Sequence, residues 1–597
     1  MSSNSGLSSP TMRAVTPESI RAPAELRALS LPELERFAAD VRRFLLANLS
    51  KTGGHIGANL GTVELTLALH RVFESPRDAL VFDTGHQGYT HKIVTGRAAR
   101  FPTLNTYGGL NRFLSRAESV HDPIEASHAG TSISIALGLA LAKRLDGDDA
   151  RVVAVIGDGS LAEGLAFEGL NHAAVERSGL VLVLNDNGYA ISPGFGALHE
   201  ALRDGRARAF FEALGLEYLG PVDGHDLGAL IPALEHAKAS TKLAVVHART
   251  VKGSGWAPAD RHPFRAHFSF AFDPLTGESK SGPPPRAYPD VVAAVLADEM
   301  ERDEQLVCIT PSTLYATGLA PIFARHPERC FDPGMEEQHA LTLATGLALG
   351  GKKPVVAYQS TFFQRGFDQL VHDLCFLAQP VLLLLYRSGF AGYDNPTHHG
   401  IYDLAYLRGV PNLRLCYPKD RFEAERMLRV ELRALAGPTA ILMPYGPAEE
   451  IDESVRLEAP ESFALPEVDY VGRELVLLTV GNRYRAALEA VEALRARGVD
   501  AGLVNLRYLK PLPEAFLAAE LRGAQRVVTL EEGVLEGGIG SALCALALDH
   551  SIQAEWLRIG LPCVFVEPGS NAELARAYRL DGPGVLERIR ARWPELA

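Results

Sequence analysis

The fold is decided by residues 152–187, which read VVAVIGDGSLAEGLAFEGLNHAAVERSGLVLVLNDN. Two apolar runs of strand length, 152–156 and 180–184, flank a stretch with helical periodicity at 162–175. A strand, a helix and a second strand within about 30 residues predict a βαβ unit, in which the two strands are parallel neighbours. The uninterrupted apolar character of both runs predicts a sheet that is buried on both faces.

A polar motif follows each of these strands. GDG stands at 157–159 and NDN at 185–187, so that Asp158 and Asn187 are 29 positions apart. The carboxyl ends of neighbouring parallel strands meet at one edge of the sheet, where open α/β sheets bind ligands. Glycine allows close approach of a phosphate, and the following helix directs its N-terminus at that anion. Because carboxylate and amide oxygens suit Mg²⁺, the pair predicts a site for a magnesium-bound diphosphate.

The composition is that of an ordinary globular protein. The chain has 597 residues, of which 47% are hydrophobic and 22% are charged, and its formal charge of −13 disfavours a general nucleic-acid or anionic-membrane binder. No apolar run approaches the ~20 residues that span a bilayer. The six cysteines have no CxxC spacing, which is typical of a cytoplasmic protein rather than of a disulfide framework. We therefore predict a cytoplasmic location with neither nucleic acid nor membrane as partner.

The chain divides into three α/β blocks, each predicted to be a mainly parallel sheet flanked by helices. A Pro/Gly/Ser-rich segment at 273–289 separates the first two blocks, and a polar stretch at 447–466 leads to the third. We predict a disordered tail over 1–23, a diphosphate- and Mg-binding domain over 24–283, a pyrimidine-binding domain over 284–458 and a C-terminal domain over 459–597.

Further motifs carry a family resemblance. HIGANLGTVEL at 55–65, FDTGHQGY at 82–89 and SHAGTS at 127–132 resemble motifs of transketolase-like thiamine diphosphate (ThDP) enzymes. DGHD at 223–226, EQHA at 337–340, STFFQR at 360–365 and THHG at 397–400 resemble the 1-deoxy-D-xylulose-5-phosphate synthase family. The resemblance covers nearly the whole chain beyond the tail. It implies a three-domain transketolase-like fold, ThDP and Mg²⁺ as cofactors, and a homodimer.

The resemblance also implies an activity. Such a transferase decarboxylates pyruvate and adds the two-carbon unit to an aldehyde, glyceraldehyde 3-phosphate, in isoprenoid biosynthesis. Three alternatives remain open at this point: a related carboligase with a different, non-phosphorylated acceptor, ketol transfer of the transketolase type, and a catalytically silent homologue.

Site residues follow from the same motifs. Glu337 is the key residue of the second block, because ThDP needs a carboxylic group hydrogen-bonded to its aminopyrimidine, and a partly apolar pocket would raise its pKa. The resemblance implies catalytic roles for Glu337, His55, His267, Asp394 and His398. It implies cofactor contacts from His86, His128, Gly157, Asp158, Gly159, Asn187, Ile191, Lys252 and Phe362. It implies metal ligands at Asp158, Asn187 and Tyr189, and substrate contacts from Arg365, Arg387, Tyr445 and Gln359. As isolated residues, most of these would more simply be core or surface side chains, and their positions in the motifs favour the functional interpretation.

The sequence departs from the family pattern around the acceptor. The usual Pro-Arg-Gly reads Pro-Tyr445-Gly, Gln359 replaces a tyrosine, Asp-Arg-Ala-Gly reads Tyr-Arg387-Ser-Gly, and the stretch 192–223, a mobile cover in the family, is shortened. Tyrosine carries no charge, so the lost contact to a phosphate could cost roughly 1.5–3 kcal/mol, or about tenfold to a hundredfold in binding. We expect an acceptor that lacks a phosphate, or one whose phosphate is held differently.

Overall fold

The computed structural model describes residues 15–125, 127–176, 178–454 and 465–596. Its N-terminal sheet contains the predicted βαβ unit. The strands are β1 (Ala79–Phe82), β2 (Val152–Gly157), β3 (Leu180–Asp186), β4 (Glu217–Asp223) and β5 (Ala244–Arg249), in the order β1-β2-β3-β5-β4. All four pairings are parallel, and β2 and β3 are neighbours as predicted.

The second sheet is formed by β6 (Leu306–Ile309), β7 (Cys330–Phe331), β8 (Lys353–Gln359), β9 (Leu382–Ser388), β10 (Arg414–Cys416) and β11 (Thr439–Pro444). The third contains β12 (Glu467–Tyr470), β13 (Leu475–Thr479), β14 (Ala501–Asn505), β16 (Arg526–Val534) and β17 (Glu555–Leu561). Strand β15 (Tyr508–Lys510) leaves this last block and pairs antiparallel with β10, which joins the second and third domains. The predicted α/β class with three mainly parallel sheets is confirmed.

Helices flank each sheet on both faces. In β2, Val153 and Val155 belong to one core while Ala154 and Ile156 belong to another, so the strand is buried on both sides and reads as a continuous apolar run. The α-helices of eight or more residues in the described part of the chain are Leu31–Thr52, Val63–Val72, Ser132–Leu145, Gly164–Ala173, Ala197–Asp204, Leu227–Ala239, Tyr288–Arg302, Glu337–Leu349, Arg421–Arg433, Tyr484–Arg495, Glu514–Leu521, Ile539–Asp549 and Gly582–Arg592.

The helix predicted over 162–175 is present as Gly164–Ala173. A single turn, Asp158–Leu161, precedes the helix Gly164–Ala173, because Glu163 between them has an extended backbone (φ −69°, ψ 144°). The break allows Glu163 to point into the site described below.

Two regions bear on the predicted domain limits. Residues 1–14 of the predicted tail and the limit at 458 lie outside the described residues. Residues 15–23, which were also predicted to be disordered, form a turn whose Ile20 is fully buried in the first core. A single apolar side chain in a polar stretch gave no periodic signal, so this ordering escaped the sequence prediction. Among the described residues no helix is both long and apolar enough to cross a membrane.

Candidate active site

A cavity lies where β2 and β3 end, and the second domain closes it. The first domain contributes His55, His86, His128, Gly157, Gly159, Asn187, Tyr189, Ile191, Lys252 and His267 to its wall. The second domain contributes Ser312, Met335, Glu337, Phe362 and Arg365. Most of the predicted cofactor residues are thus brought together around one space.

Asp158, Asn187 and Tyr189 lie together where β2 and β3 end, and this part of the cavity is here called the corner. The main-chain N–H of Asn187 donates to Asp158 Oδ1 at 3.4 Å, and that of Tyr189 donates to Asn187 Oδ1 at 3.0 Å. A side chain at position 159 would place its Cβ 2.6 Å from that of Ala190, so only glycine permits this close approach. The sheet brings Asp158 and Asn187 close together, as predicted.

Asp158 has a buried carboxylate oxygen that is suited to a cation. Its Oδ2 is buried without a hydrogen-bond partner in the described chain, and His199 Nδ1 lies 3.9 Å from it. Burial, and then the nearby Asp186, raise the pKa of Asp158 to about 7. A divalent cation would satisfy this oxygen, so the residues fit the Mg²⁺ that the motifs imply.

The donor set is small. Within the described residues no group of three His, Cys, Asp or Glu side chains is placed to hold a metal ion. A cation at this corner would therefore be held by the Asp158 carboxylate, the Asn187 amide, a main-chain oxygen and the diphosphate itself, which are the hard oxygen ligands that Mg²⁺ takes.

Lys252 stands beside this corner. Its Nζ donates to the main-chain oxygen of Ala190 at 2.8 Å, and the side chain is almost fully buried. Burial lowers the pKa of Lys252 to about 7, against the opposing effect of Asp158. A bound diphosphate would favour the charged form, because an added negative charge at this distance lies in a medium of low dielectric.

A belt of aromatic rings continues from the corner. Successive ring centroids are 5.2–5.5 Å apart along the series His267, His86, His55, Phe113, His398, Phe362 and His128. Burial lowers the pKa values of the histidines, to about 3 for His86 and His398, to about 4 for His128, and well below the usual value for His55 and His267. At neutral pH the imidazoles are therefore uncharged and can either donate or accept a proton.

Glu337 faces the cavity from the start of the helix Glu337–Leu349. Its side chain is buried, and burial raises its pKa to about 7. The Tyr358 hydroxyl donates to the main-chain oxygen of Glu337 at 2.9 Å, which fixes the helix start against β8. A carboxyl group that is half protonated near neutral pH is what hydrogen bonding to a cofactor ring nitrogen needs.

Of the four predicted substrate residues, Arg365 lines the cavity, whereas Gln359, Arg387 and Tyr445 are not part of its wall. Arg365 lines the cavity but already forms an ion pair with Glu163 and donates to the main-chain oxygen of Ala129, so it links the two domains. Gln359 is buried at the end of β8 and is not part of the cavity wall. Their proposed contacts with substrate remain predictions.

Asp394 forms an ion cluster with two arginines. Arg387 and Arg112 each pair with one oxygen of Asp394, in the second case with Arg112 Nη1 and Asp394 Oδ1 2.5 Å apart. Although burial by itself raises the pKa of Asp394, Arg387 and Arg112 hold it below its usual range. The Arg387 guanidinium lies over the ring of Tyr445, 4.7 Å from its centroid. Arg112 and Phe113 were not predicted, because no motif at 108–113 indicates that this loop reaches the second domain.

The third domain holds the loop that carries Asp394 and His398. The main-chain N–H of Phe390 donates to Glu532 Oε1 at 2.7 Å, and that of Gly569 donates to the Gly392 oxygen at 3.2 Å. At Gly389 (φ 83°) a Cβ would lie 2.2 Å from Glu532 Oε1, so the loop can only pass the carboxylate with glycine there. The C-terminal domain therefore positions the loop that carries Asp394 and His398, and none of its described residues is part of the cavity wall.

The three-sheet fold and this interdomain cavity define a transketolase-like enzyme that binds a diphosphate cofactor. The model of the family described as 1-deoxy-D-xylulose-5-phosphate synthase matches residues 18–210 and 203–250. The transketolase pyrimidine binding domain matches 285–447, and the transketolase C-terminal domain matches 466–585.

Curated relatives extend over almost the full length. The chain is 42% identical to 1-deoxy-D-xylulose-5-phosphate synthase 2 of Geobacter sulfurreducens, over 96% of this chain and 98% of the relative. It is 41% identical to 1-deoxy-D-xylulose-5-phosphate synthase of Geobacillus thermodenitrificans, with the same two coverages. A solved transketolase from Campylobacter jejuni is 17% identical, covers 94% of this chain and all of its own, and has a TM-score of 0.44.

The chain belongs to the 1-deoxy-D-xylulose-5-phosphate synthase family. Enzymes of this family use ThDP with a divalent metal, usually Mg²⁺, so the predicted cofactors are confirmed. The individual roles predicted for the site residues remain proposals.

Proposed function

We propose that this protein is a ThDP-dependent transferase that makes 1-deoxy-D-xylulose 5-phosphate from pyruvate and glyceraldehyde 3-phosphate, a step of isoprenoid biosynthesis. The observation that carries the proposal is a single cavity bounded by Asn187 at one end and by buried Glu337 at the other, in a chain of this family. The two ends supply the two groups that ThDP needs, one for its diphosphate and one for its aminopyrimidine.

Asp158 and Asn187 would hold the metal and, through it, the diphosphate. The unpaired Oδ2 of Asp158 supports this role, because a buried carboxylate oxygen without a partner is costly unless a cation binds there. Lys252, fixed on the main-chain oxygen of Ala190, would balance the remaining negative charge.

Glu337 would hold a proton toward the aminopyrimidine, since its pKa near 7 keeps it partly protonated at neutral pH. When bound, ThDP supplies the nucleophilic carbon and the electron sink for decarboxylation. His55 and His267 would orient the carboxylate of pyruvate, and His398 and Asp394 would manage proton movement at the acceptor carbonyl. Burial of the His55 and His398 rings excludes water, which protects the reaction from hydrolysis and proton leakage.

A different acceptor is the second candidate. Tyr445 stands where the family usually carries an arginine, and it lies under Arg387 instead of presenting a charge of its own. This observation favours a test with a neutral aldehyde. Ketol transfer of the transketolase type is not favoured, because the relatives named above are synthases.

The activity is tested by incubating purified protein with ThDP, Mg²⁺ and ¹³C-labelled pyruvate, with and without glyceraldehyde 3-phosphate. We expect labelled CO₂ and a five-carbon 1-deoxy-ketose phosphate by mass spectrometry, both lost when ThDP or Mg²⁺ is omitted. A ketose formed from xylulose 5-phosphate as donor, with none from pyruvate, would contradict the proposal.

A homodimer is the proposed assembly. Phe367, Val371 and Phe376 are 40%, 37% and 77% exposed on one turn-and-helix segment of the second domain, and exposed apolar side chains grouped in this way favour a protein partner. Light scattering after size-exclusion chromatography should give twice the chain mass. A monomer at micromolar concentration would contradict this assembly.

A cytoplasmic location is proposed on the chemistry of the cysteines. All six lie in the described residues and all are free thiols, four of them buried. Thiols in this state are typical of a reducing compartment. Cell fractionation of the native host tests the proposal, and recovery of the protein outside the cytoplasm would overturn it.

A further inference from the structure

Arg112, Asp394 and Arg387 form an ion cluster, here called the arginine pair site. Arg112 comes from the first domain, and the other two come from the second. Their side chains are 9%, 15% and 23% exposed, so the cluster is largely enclosed but still reachable from solvent. It adjoins the ring belt through Phe113, which follows Arg112 in the chain and stacks on His398 at 5.2 Å between centroids.

The cluster has an excess of positive charge. Two guanidinium groups face one carboxylate, and both arginines form their ion pairs in the described structure with Asp394. The neighbouring imidazoles of His55 and His398 do not change this balance, because burial lowers their pKa values and leaves them neutral. One positive charge in a partly buried place therefore remains to be neutralised, which favours an anionic ligand.

The guanidinium planes are fixed by rings. Arg112 lies over Phe268, with its Cζ 4.6 Å from the ring centroid, and Arg387 lies over Tyr445 at 4.7 Å. Arg112 also donates from Nε to Asn105 Oδ1, while the Asn105 side chain donates to the Thr52 oxygen at 2.6 Å. A guanidinium held in one plane presents its remaining N–H groups in a set direction, which is how arginine recognises phosphate.

We propose that Arg112, acting with Arg387, binds the phosphate of the acceptor aldehyde and so replaces the charge that Tyr445 does not supply. The inference rests on the proposed function and deepens it, because it names the residue that selects a phosphorylated acceptor. Arg112 uses Nε and one η nitrogen for Asn105 and Asp394, so its other η nitrogen can reach a ligand. In this arrangement Tyr445 is a positioning residue that orients Arg387.

The inference predicts a substrate-specific defect. Replacement of Arg112 by Gln removes the charge and leaves a shorter polar side chain. We expect the Arg112→Gln variant to raise KM for glyceraldehyde 3-phosphate about tenfold to a hundredfold, while KM for pyruvate and for unphosphorylated glyceraldehyde change less than about threefold. Inorganic phosphate, used as a competitive probe, should lose affinity by a similar factor.

Arg116 supplies the matched control. It lies four residues further along the same loop and is exposed, so Arg116→Gln removes an equal charge outside the cluster. This variant should keep both KM values and phosphate inhibition. If Arg116→Gln weakens phosphate as much as Arg112→Gln does, the effect is one of overall charge and the inference is wrong.

A second variant separates recognition from structure. Arg112 also braces Asp394, so its loss could simply misplace the loop. Adding Tyr445→Arg to Arg112→Gln returns a guanidinium to the cluster from the other side, and it should restore at least a tenfold preference for the phosphorylated aldehyde. A defect of equal size toward both aldehydes, with no rescue, would mean that Arg112 has only a structural role.

The outcomes also separate this inference from the proposed function. If the unmodified enzyme forms no 1-deoxy-ketose from pyruvate with either aldehyde, the proposed function fails. If it forms the phosphorylated product and Arg112→Gln leaves KM for glyceraldehyde 3-phosphate unchanged, the function stands and only the inference about Arg112 is overturned.

Discussion

The diphosphate end of the cavity and the arginine pair site are built in different ways. The diphosphate end consists of main-chain groups, glycine and short side chains at the ends of β2 and β3, and its key residues Asp158 and Asn187 are fixed by neighbouring strands. The arginine pair site, whose residues are not part of the cavity wall, consists of long side chains, Arg112 and Arg387, which come from two domains and meet on Asp394. A third domain holds the loop on which Asp394 lies.

This difference determines how each region responds to substitution. Sheet geometry determines the diphosphate end, so nearly any substitution there would disturb several contacts at once. At the arginine pair site one charge can be moved from one element to another while the net charge is kept. Tyr445 lies at the arginine pair site, under the Arg387 guanidinium, whereas the GDG and NDN motifs lie at the diphosphate end.

The largest expected effect is on Glu337, which belongs to the cofactor end. Glu337→Ala should lower kcat by about 10²–10⁴-fold, because it removes the group that holds a proton toward the cofactor. ThDP affinity, measured by titration calorimetry, should fall much less. The adjacent Glu336→Gln is the control and should keep most of the activity; equal losses in the two variants would contradict the assignment.

The second-largest effect is expected on the affinity for ThDP with Mg²⁺. Asp158→Asn removes the charge of a buried ligand, and we expect the affinity for ThDP with Mg²⁺ to fall by at least about a hundredfold, since breaking a buried charge pair is strongly unfavourable. The exposed Asp146→Asn should bind normally. Wild-type cofactor affinity in Asp158→Asn would place the metal elsewhere.

Glu337 should also lower the stability of the cofactor-free protein in a pH-dependent way. Its pKa is about 7 in the folded chain against an ordinary value of 4.5, so the folded chain keeps a proton that the unfolded chain loses. The free energy of unfolding therefore falls as pH rises between these two values. Glu337→Gln should therefore raise the apparent Tm at pH 8 by a few degrees, and by much less at pH 5. Thermal scans at the two pH values test this, and a Tm gain that grows toward acid pH would refute it.

A moderate effect is expected from weakening the contact between the third domain and the loop that carries Asp394. Glu532 accepts from the N–H of Phe390 and pairs with Arg483, its Oε2 lying 2.9 Å from Arg483 Nε. Glu532→Gln should lower kcat about tenfold with unchanged ThDP affinity, because the displaced loop carries Asp394 and not the cofactor ligands. The exposed Glu536→Gln serves as control, and a loss of cofactor affinity in Glu532→Gln would show that the two regions are coupled.

The smallest effect is expected at Tyr445. Tyr445→Phe keeps the ring beneath Arg387, and it should change KM for glyceraldehyde 3-phosphate less than about threefold. Tyr445→Ala removes the cation–π contact, which is worth about 0.5–1 kcal/mol at partly exposed sites, or roughly two- to fivefold. A large loss in Tyr445→Phe would instead assign the hydroxyl to the substrate.

The sequence predicted the diphosphate end well, because a local pattern of strand, GDG and NDN determines where Asp158 and Asn187 meet. It did not predict Arg112, whose partner Asp394 is 282 positions away. It also did not predict the hydrogen bond from the Phe390 N–H to Glu532, which lies 142 positions further along the chain. These contacts depend on domain packing, and no periodicity or motif within the chain encodes them. The five histidines and Phe362 of the ring belt were predicted, whereas Phe113 was missed.

The most direct test of the account is a competition between two acceptors. The enzyme receives ThDP, Mg²⁺ and pyruvate with equal concentrations of glyceraldehyde 3-phosphate and unphosphorylated glyceraldehyde, and the two products are quantified by mass spectrometry. We predict that 1-deoxy-D-xylulose 5-phosphate exceeds the neutral 1-deoxy-ketose at least tenfold, as expected if Arg112 and Arg387 bind the phosphate. An excess of the neutral product would contradict both the acceptor and the role of the arginine pair site.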